Sequence, residues 1–387
     1  MSALLLRPIL LPPTFAGHPA PCDLFDERGT LLARAGTPLG QARDTTAIAR
    51  RFYCRAGQAP STTQPEPLRT LRDIGEALAM LDTLVTDGTP PPASAFLELA
   101  AHCHAAWRFD PDACIGYARL AQLVSPAVDH LLLATLFAAE IGHAHGLGQS
   151  ATTHLIGAAL TMNLGSLALH DHMHGLREPP DDERRAALLA HPWRAAELLA
   201  GCGSLPEDWL RAVAEHHENI DGSGYPLGLR RGDISLGARI LRVADVFAAR
   251  LRGRINRPPR YWNIGKAAHP EQLIRHVFSE DLERLDPHLV RLLAHRLGSF
   301  PPGSTVRLSN GELAVIHRRP GGNGTPRHAL SLCDARGRPH RAPRQRPLNT
   351  HECRIQRYAH DDPLLPPPDY DWSLLWGYGE EPEAPLH

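Results

Sequence analysis

The stretch LALHDHMHGL, residues 167–176, brings His170, Asp171, His172 and His174 into five positions. Imidazole nitrogens and a carboxylate packed this closely are the donors of a divalent-metal site. A second dense patch is AEHHENIDGSGYPLGLRRGDISLGARILRVADVFAAR, residues 214–250, where His216 and His217 are adjacent and Asp245 follows downstream. At about 100° per residue, Asp245 shares a helix face with Ala238, Leu241, Ala248 and Ala249. A carboxylate on such an apolar stripe is expected to be buried and to need a partner. A salt bridge and a metal ligand both meet that need, and the segment alone leaves both open. The chain holds 23 histidines, so one histidine taken singly is weak grounds for a site.

The elements that must position these groups can be read from pattern. A helix is expected to begin near Pro206, with Glu207 and Asp208 in its first turn, where their charge suits the helix dipole. It carries Trp209, Leu210 and Val213 towards a core and ends at His216-His217. Gly222, Gly224 and Pro226 then shape a loop, and Ser235 is the expected N-cap of the helix that contains Asp245. From about 68 to 298 the chain reads as helical throughout, with apolar residues three and four apart, as in Leu132, Leu133, Leu136, Phe137 and Ile141. Residues 18–40 read as a hairpin turning at Glu27-Arg28-Gly29, within a small β module. Residues 57–67 form a polar, Pro-rich linker. Two alternating runs around Asn310-Gly311 announce another hairpin, in a small β domain after the helices. The expected order is therefore a β module and linker at 1–67, a helical domain at 68–298, a β domain at 299–350 and a Pro-rich tail at 351–387. Trp372, Leu374, Leu375 and Trp376 of that tail are suited to docking on a surface.

Bulk properties narrow the function classes. The 41 basic and 42 acidic residues leave a formal net charge of -1, which disfavours a general polyanion binder, so DNA is not an expected partner. The seven cysteines are scattered, odd in number and without a CxxC pair, as suits reduced thiols in a cytoplasm. The N-terminus has no basic residue ahead of its apolar stretch, and the longest apolar run, 131–139, is too short to span a bilayer. A cytoplasmic protein is expected, with its oligomeric state left open.

The run HHENIDGSGYPLGL followed by ISLGARILRVADVFAA resembles the HD-GYP family, the HD-domain phosphohydrolases that hydrolyse cyclic di-GMP. Paired histidines, DGxGYP, GL and an ARI…VAD helix occur in that family's order, and the resemblance covers roughly residues 95–298. It implies a mainly α fold, an HD-type helical bundle, flanked here by the two small β segments. It also implies a metal site of two or three ions, whose bridging hydroxide attacks a phosphodiester. Carried over residue by residue, the metal ligands are His130, His191 (before Pro192), His216, His217 and Asp245. The substrate loop is Gly224-Tyr225-Pro226, and phosphate would be read by Arg254 and Arg257.

The HD doublet itself is where this chain departs from the pattern. The family's AALLHDIGKxGIPD falls, without gaps, on AALTMNLGSLALHD at 158–171, which places Met162-Asn163 under the doublet and Ser166 under the lysine. The literal His170-Asp171 falls two turns later and is expected to lie in a solvated loop or helix end. Asn163 is neutral and offers one oxygen donor where a bridging carboxylate offers two. Met162 offers a thioether, a poor ligand for Fe, Mn or Zn. A divalent metal is thus expected at reduced stoichiometry or not at all. The leading expectation is a degenerate member without efficient phosphodiesterase activity. It would bind cyclic di-GMP or a related dinucleotide, or signalling proteins such as diguanylate cyclases. The alternatives are an active phosphodiesterase on a modified metal site, and a structural module binding neither metal nor nucleotide.

Overall fold

A computed structural model describes residues 6–9, 19–26, 29–39, 52–55, 65–175, 180–252, 282–320, 325–348, 350, 353–360, 362–367 and 370–379. The chain divides into two compact units, one formed by 1–68 together with 300–387 and the other by 69–299. The larger unit is helical. Its helices are α1 (Pro67–Thr86), α2 (Ala93–Phe109), α3 (Pro111–Leu120), α4 (Pro126–His145) and α5 (Gln149–Thr161). They continue with α6 (Leu167–Gly175), α7 (Asp182–Gly201), α8 (Glu207–Glu215), α9 (Leu236–Arg252) and α10 (Pro287–Leu297).

The helix starts follow from local chemistry. Asp110, Asp181 and Asp286 cap α3, α7 and α10 by accepting backbone N–H bonds from Ala113, Arg184 and His288. Ser125 caps α4, Pro126 occupies its first turn, and Gly146 closes it with a φ of 91° that favours glycine. Helix α4 is buried nearly all round from Ala127 to Gly142, as a central helix must be. It packs against α3, α5, α6, α9 and α10. Of its two buried acids, Asp129 accepts the Leu123 and Val124 N–H groups (3.2 and 3.1 Å), and Glu140 accepts from Trp107 Nε1 (3.0 Å) and Arg296 Nε (2.7 Å). None of the described helices is long and apolar enough to cross a membrane.

The docking of α8 on α5 sets the position of the paired histidines. A Cβ on Gly157 would lie 2.0 Å from the Trp209 ring, so only glycine admits the indole there. Trp209 is buried and its Nε1 donates to Thr161 Oγ1 at 2.9 Å. One end of α8 is thereby anchored while its other end delivers His216 and His217.

The second unit is antiparallel β. Strands β1 (Leu6–Ile9), β2 (Leu24–Phe25), β3 (Leu31–Ala33) and β4 (Phe52–Arg55) form a sheet in the order β1-β4-β2-β3. The expected N-terminal hairpin is the β2–β3 pair, with Gly29 at a φ of 78°; Glu27 and Arg28 lie outside the described residues. Strands β5 (Ser304–Leu308), β6 (Leu313–Ile316), β7 (His328–Cys333), β8 (Pro339–Pro347) and β9 (Ile355–Tyr358) form the second sheet, in the order β8-β7-β6-β5-β9. The β5–β6 hairpin turns at Asn310-Gly311, where Asn310 Oδ1 accepts the Glu312 N–H at 3.1 Å. Strand β9 lies within the stretch read from sequence as a tail. Beyond it, a short 3-10 turn at Trp372–Trp376 buries Trp372, Leu375 and Trp376, and the Trp376 indole donates to the His317 carbonyl at 2.7 Å.

Candidate metal centre

His191 sits in the middle of α7, directly before a proline. Pro192 has no N–H, so the Leu188 carbonyl four residues back loses its helical donor. His191 Nδ1–H fills that place, donating to Leu188 O at 2.6 Å. His216 caps the end of α8, where carbonyls also lack helical donors. Its Nδ1–H donates to Val213 O at 2.7 Å. Both rings therefore have their proton on Nδ1 and turn a bare Nε2 lone pair inward, as oriented metal-ligating histidines do. The two Nε2 atoms face each other at 3.1 Å. Two ligands of one ion at about 2.0–2.1 Å lie roughly 3 Å apart, so the spacing suits a shared cation.

His217 completes the cluster. His191, His216 and His217 offer ligand nitrogens within 4.8 Å of one another, and among the described residues no carboxylate or cysteine joins them. Burial drives all three imidazoles towards the neutral form that binds metal. His216 is pushed down to about 3 by burial and then by His191. His217 is held well below the ordinary histidine value by burial and by its neighbour His216.

His130 and Asp245 form a separate pair, on α4 and α9, with His130 Nε2 donating to Asp245 Oδ1 at 2.9 Å. Burial pushes the Asp245 carboxyl up, but the His130 hydrogen bond and the nearby Arg242 guanidinium outweigh it, and the group is held well below the carboxylate range. Sequence reasoning missed Arg242. Its Nε donates to Asn219 Oδ1 (3.0 Å), and its Nη1 donates to His217 Nδ1 (3.0 Å) and Asp245 Oδ2 (3.3 Å). Its position one turn before Asp245 was the available signal.

The Gly224-Tyr225-Pro226 loop closes over His217. The Tyr225 ring stacks on His217 with centroids 4.7 Å apart, and the Tyr225-Pro226 peptide is cis. A Cβ on Gly224 would lie 2.3 Å from Asn219 N and 2.5 Å from Glu218 Cα, so the two strands of the loop can touch only through glycine. Glu218, also missed from sequence, ties down the far side by accepting N–H bonds from Leu227 (2.6 Å), Gly228 (3.1 Å) and Leu229 (2.9 Å). Arg254 and Arg257 lie outside the described residues.

The doublet position is buried and carries no acid. Met162 is fully buried, and Asn163 is 4% exposed with an Oδ1 that has no hydrogen-bond partner among the described residues. Ser166 Oγ donates to the Asn163 carbonyl at 2.7 Å, which closes the turn after α5. His170 needs a correction: it lies on α6, half-buried, with its ring 5.1 Å from that of His191, not in a solvated segment. The helical stripe of α6 turns it inward, a consequence of packing that histidine abundance had obscured. Asp171 Oδ1 accepts the Ala127 N–H at 2.7 Å and so caps α4 from outside. The residues present thus fit one ion between His191 and His216. Among the described residues, no carboxylate joins them to bridge a second.

Residues 111–269 match the family model described as an HD domain. The helical unit therefore carries an HD domain. Over 159 residues, 41% of this chain and 36% of the relative, the chain is 31% identical to the cyclic di-GMP phosphodiesterase PA4108 of Pseudomonas aeruginosa. It is 27% identical over 172 residues to the 3'3'-cGAMP-specific phosphodiesterase 2 of Vibrio cholerae, covering 44% of this chain and 31% of that one. Against the cyclic di-GMP phosphodiesterase PdeB of Borreliella burgdorferi it is 22% identical over 203 residues, 52% of this chain and 51% of the relative. The chain thus spans between about a third and about half of the length of these relatives.

Proposed function

We propose that this chain is a cyclic-dinucleotide signalling protein without efficient phosphodiesterase activity, acting in the cytoplasm through nucleotide binding or protein docking. The observation that supports this reading is the make-up of the cluster. Three imidazoles converge with no described carboxylate among them, while a thioether and a neutral amide hold the doublet position. Two-metal phosphodiester hydrolysis needs both the attacking and the leaving oxygen clamped, and an anion that holds the ions together.

A single divalent ion, Fe, Mn or Zn, would be held by His191 and His216; when bound, it supplies Lewis acidity and a more acidic water. The chain's own residues do the rest. The Leu188 and Val213 carbonyls orient the two imidazoles. Glu218 holds the loop that stacks Tyr225 over His217. Arg254 and Arg257 would receive phosphate, in the bidentate manner of guanidinium groups. Relatives named as phosphodiesterases of cyclic di-GMP and of 3'3'-cGAMP make a cyclic dinucleotide the ligand class to test. Diguanylate cyclases are the candidate protein partners.

Turnover of both dinucleotides with added Mn or Fe, beside His216→Ala, tests the reading. The expected result is binding of a dinucleotide without turnover above the variant. Hydrolysis that disappears in His216→Ala would establish an enzyme instead. Absence of both turnover and micromolar binding would leave a structural module.

A further inference from the structure

The guanidinium of Arg242 lies among groups that a cation would otherwise engage. A guanidinium is a cation that only donates hydrogen bonds. Its Nη1 donates to His217 Nδ1 at 3.0 Å and to Asp245 Oδ2 at 3.3 Å, and its Nε is anchored on Asn219 Oδ1 at 3.0 Å. Because guanidinium only donates, His217 Nδ1 must accept. A neutral His217 then carries its proton on Nε2, which removes the lone pair there. The other Asp245 oxygen is taken by His130 at 2.9 Å. Both carboxylate oxygens and one imidazole nitrogen are therefore already engaged. His191 and His216 differ, because their Nδ1–H groups go to carbonyls and their Nε2 atoms face each other.

We propose that Arg242 is a built-in cation of the site, neutralising Asp245 and setting the His217 tautomer, so that the protein loads at most one divalent ion, on His191 and His216. The inference rests on the one-ion reading above and deepens it by naming the residue that keeps a second ion out. An ion arriving at Asp245 would have to displace the guanidinium or meet its positive charge at close range, in surroundings where Arg242 is only 19% exposed and poorly screened by water. Helix geometry keeps the pair together, since Arg242 and Asp245 are one turn apart on α9.

Zn2+ titration against a competing chelator, with bound metal counted by elemental analysis and the His216→Ala background subtracted, tests this. Wild-type protein is expected to take up no more than one ion. Arg242→Ala and Arg242→Gln are expected to take up a second, or to bind the first about tenfold more tightly or better. Unchanged stoichiometry and affinity in both variants would overturn the inference and leave the one-ion reading standing. Two ions in wild type would overturn both. If neither variant folds, 15N spectra of histidine-labelled wild-type protein decide. An unprotonated His217 Nδ1 supports the role of Arg242, and a protonated one refutes it.

Discussion

Acidification should destabilise the helical unit through His216, by an amount the structure allows to be worked out. The His216 ring is fully buried, and burial followed by the adjacent His191 takes its pKa from 6.5 to about 3. In the unfolded chain the ring takes up a proton as pH falls through 6.5, whereas the folded ring stays neutral until about 3. The unfolded state thus binds more protons across that window, so stability falls as pH falls. Between about pH 7 and about pH 5 the loss from this one group is about 2 kcal/mol. His191 and His217 shift in the same direction and add to it. Urea unfolding of the metal-chelated protein, followed by helical circular dichroism at the two pH values, reads the total. His216→Gln removes the titrating ring, so the variant should lose about 2 kcal/mol less than wild type over the same interval. Equal losses in the two proteins would show that His216 is protonated in the fold and that the cluster is not the neutral ligand set described. Excess Zn2+ should flatten the wild-type dependence, because a bound ion competes with protons for the same nitrogens.

Two further outcomes follow from packing. Gly157→Ala would ordinarily stabilise a helix by roughly 1 kcal/mol. Here the added Cβ meets Trp209 at 2.0 Å, so the melting temperature is expected to fall; a rise would mean that the α5–α8 contact is looser than described. Glu218→Gln removes the charge that gathers the Leu227, Gly228 and Leu229 amides. Their hydrogen exchange should quicken by roughly tenfold to a hundredfold, corresponding to ~1–3 kcal/mol, and unchanged exchange would assign the loop's order to other contacts.

Much of the site was legible as a line of residues, because the signals that carry it are local. Pro206 with Glu207 and Asp208 marks a helix start, and that helix runs Glu207–Glu215. Asn310-Gly311 demands a hairpin, and β5 and β6 supply it. The mainly α bundle with small β segments followed from three- and four-residue periodicity giving way to alternation at both ends. The replacement of the doublet by Met162 and Asn163 is likewise a fact of sequence. Which groups meet is not local, and only the tertiary structure decided it. His191 and His216 are 25 residues apart and touch because Trp209 locks α8 against Gly157. His130 and Asp245, 115 residues apart, prove to be partners of each other. His170, which abundance made easy to discount, turns onto His191 through the packing of α6. Arg242 reads in sequence as one arginine of an amphipathic helix. Its role depends on Asn219, His217 and Asp245 lying within reach of a single guanidinium, and a helix face acquires such neighbours only when the chain has folded around it.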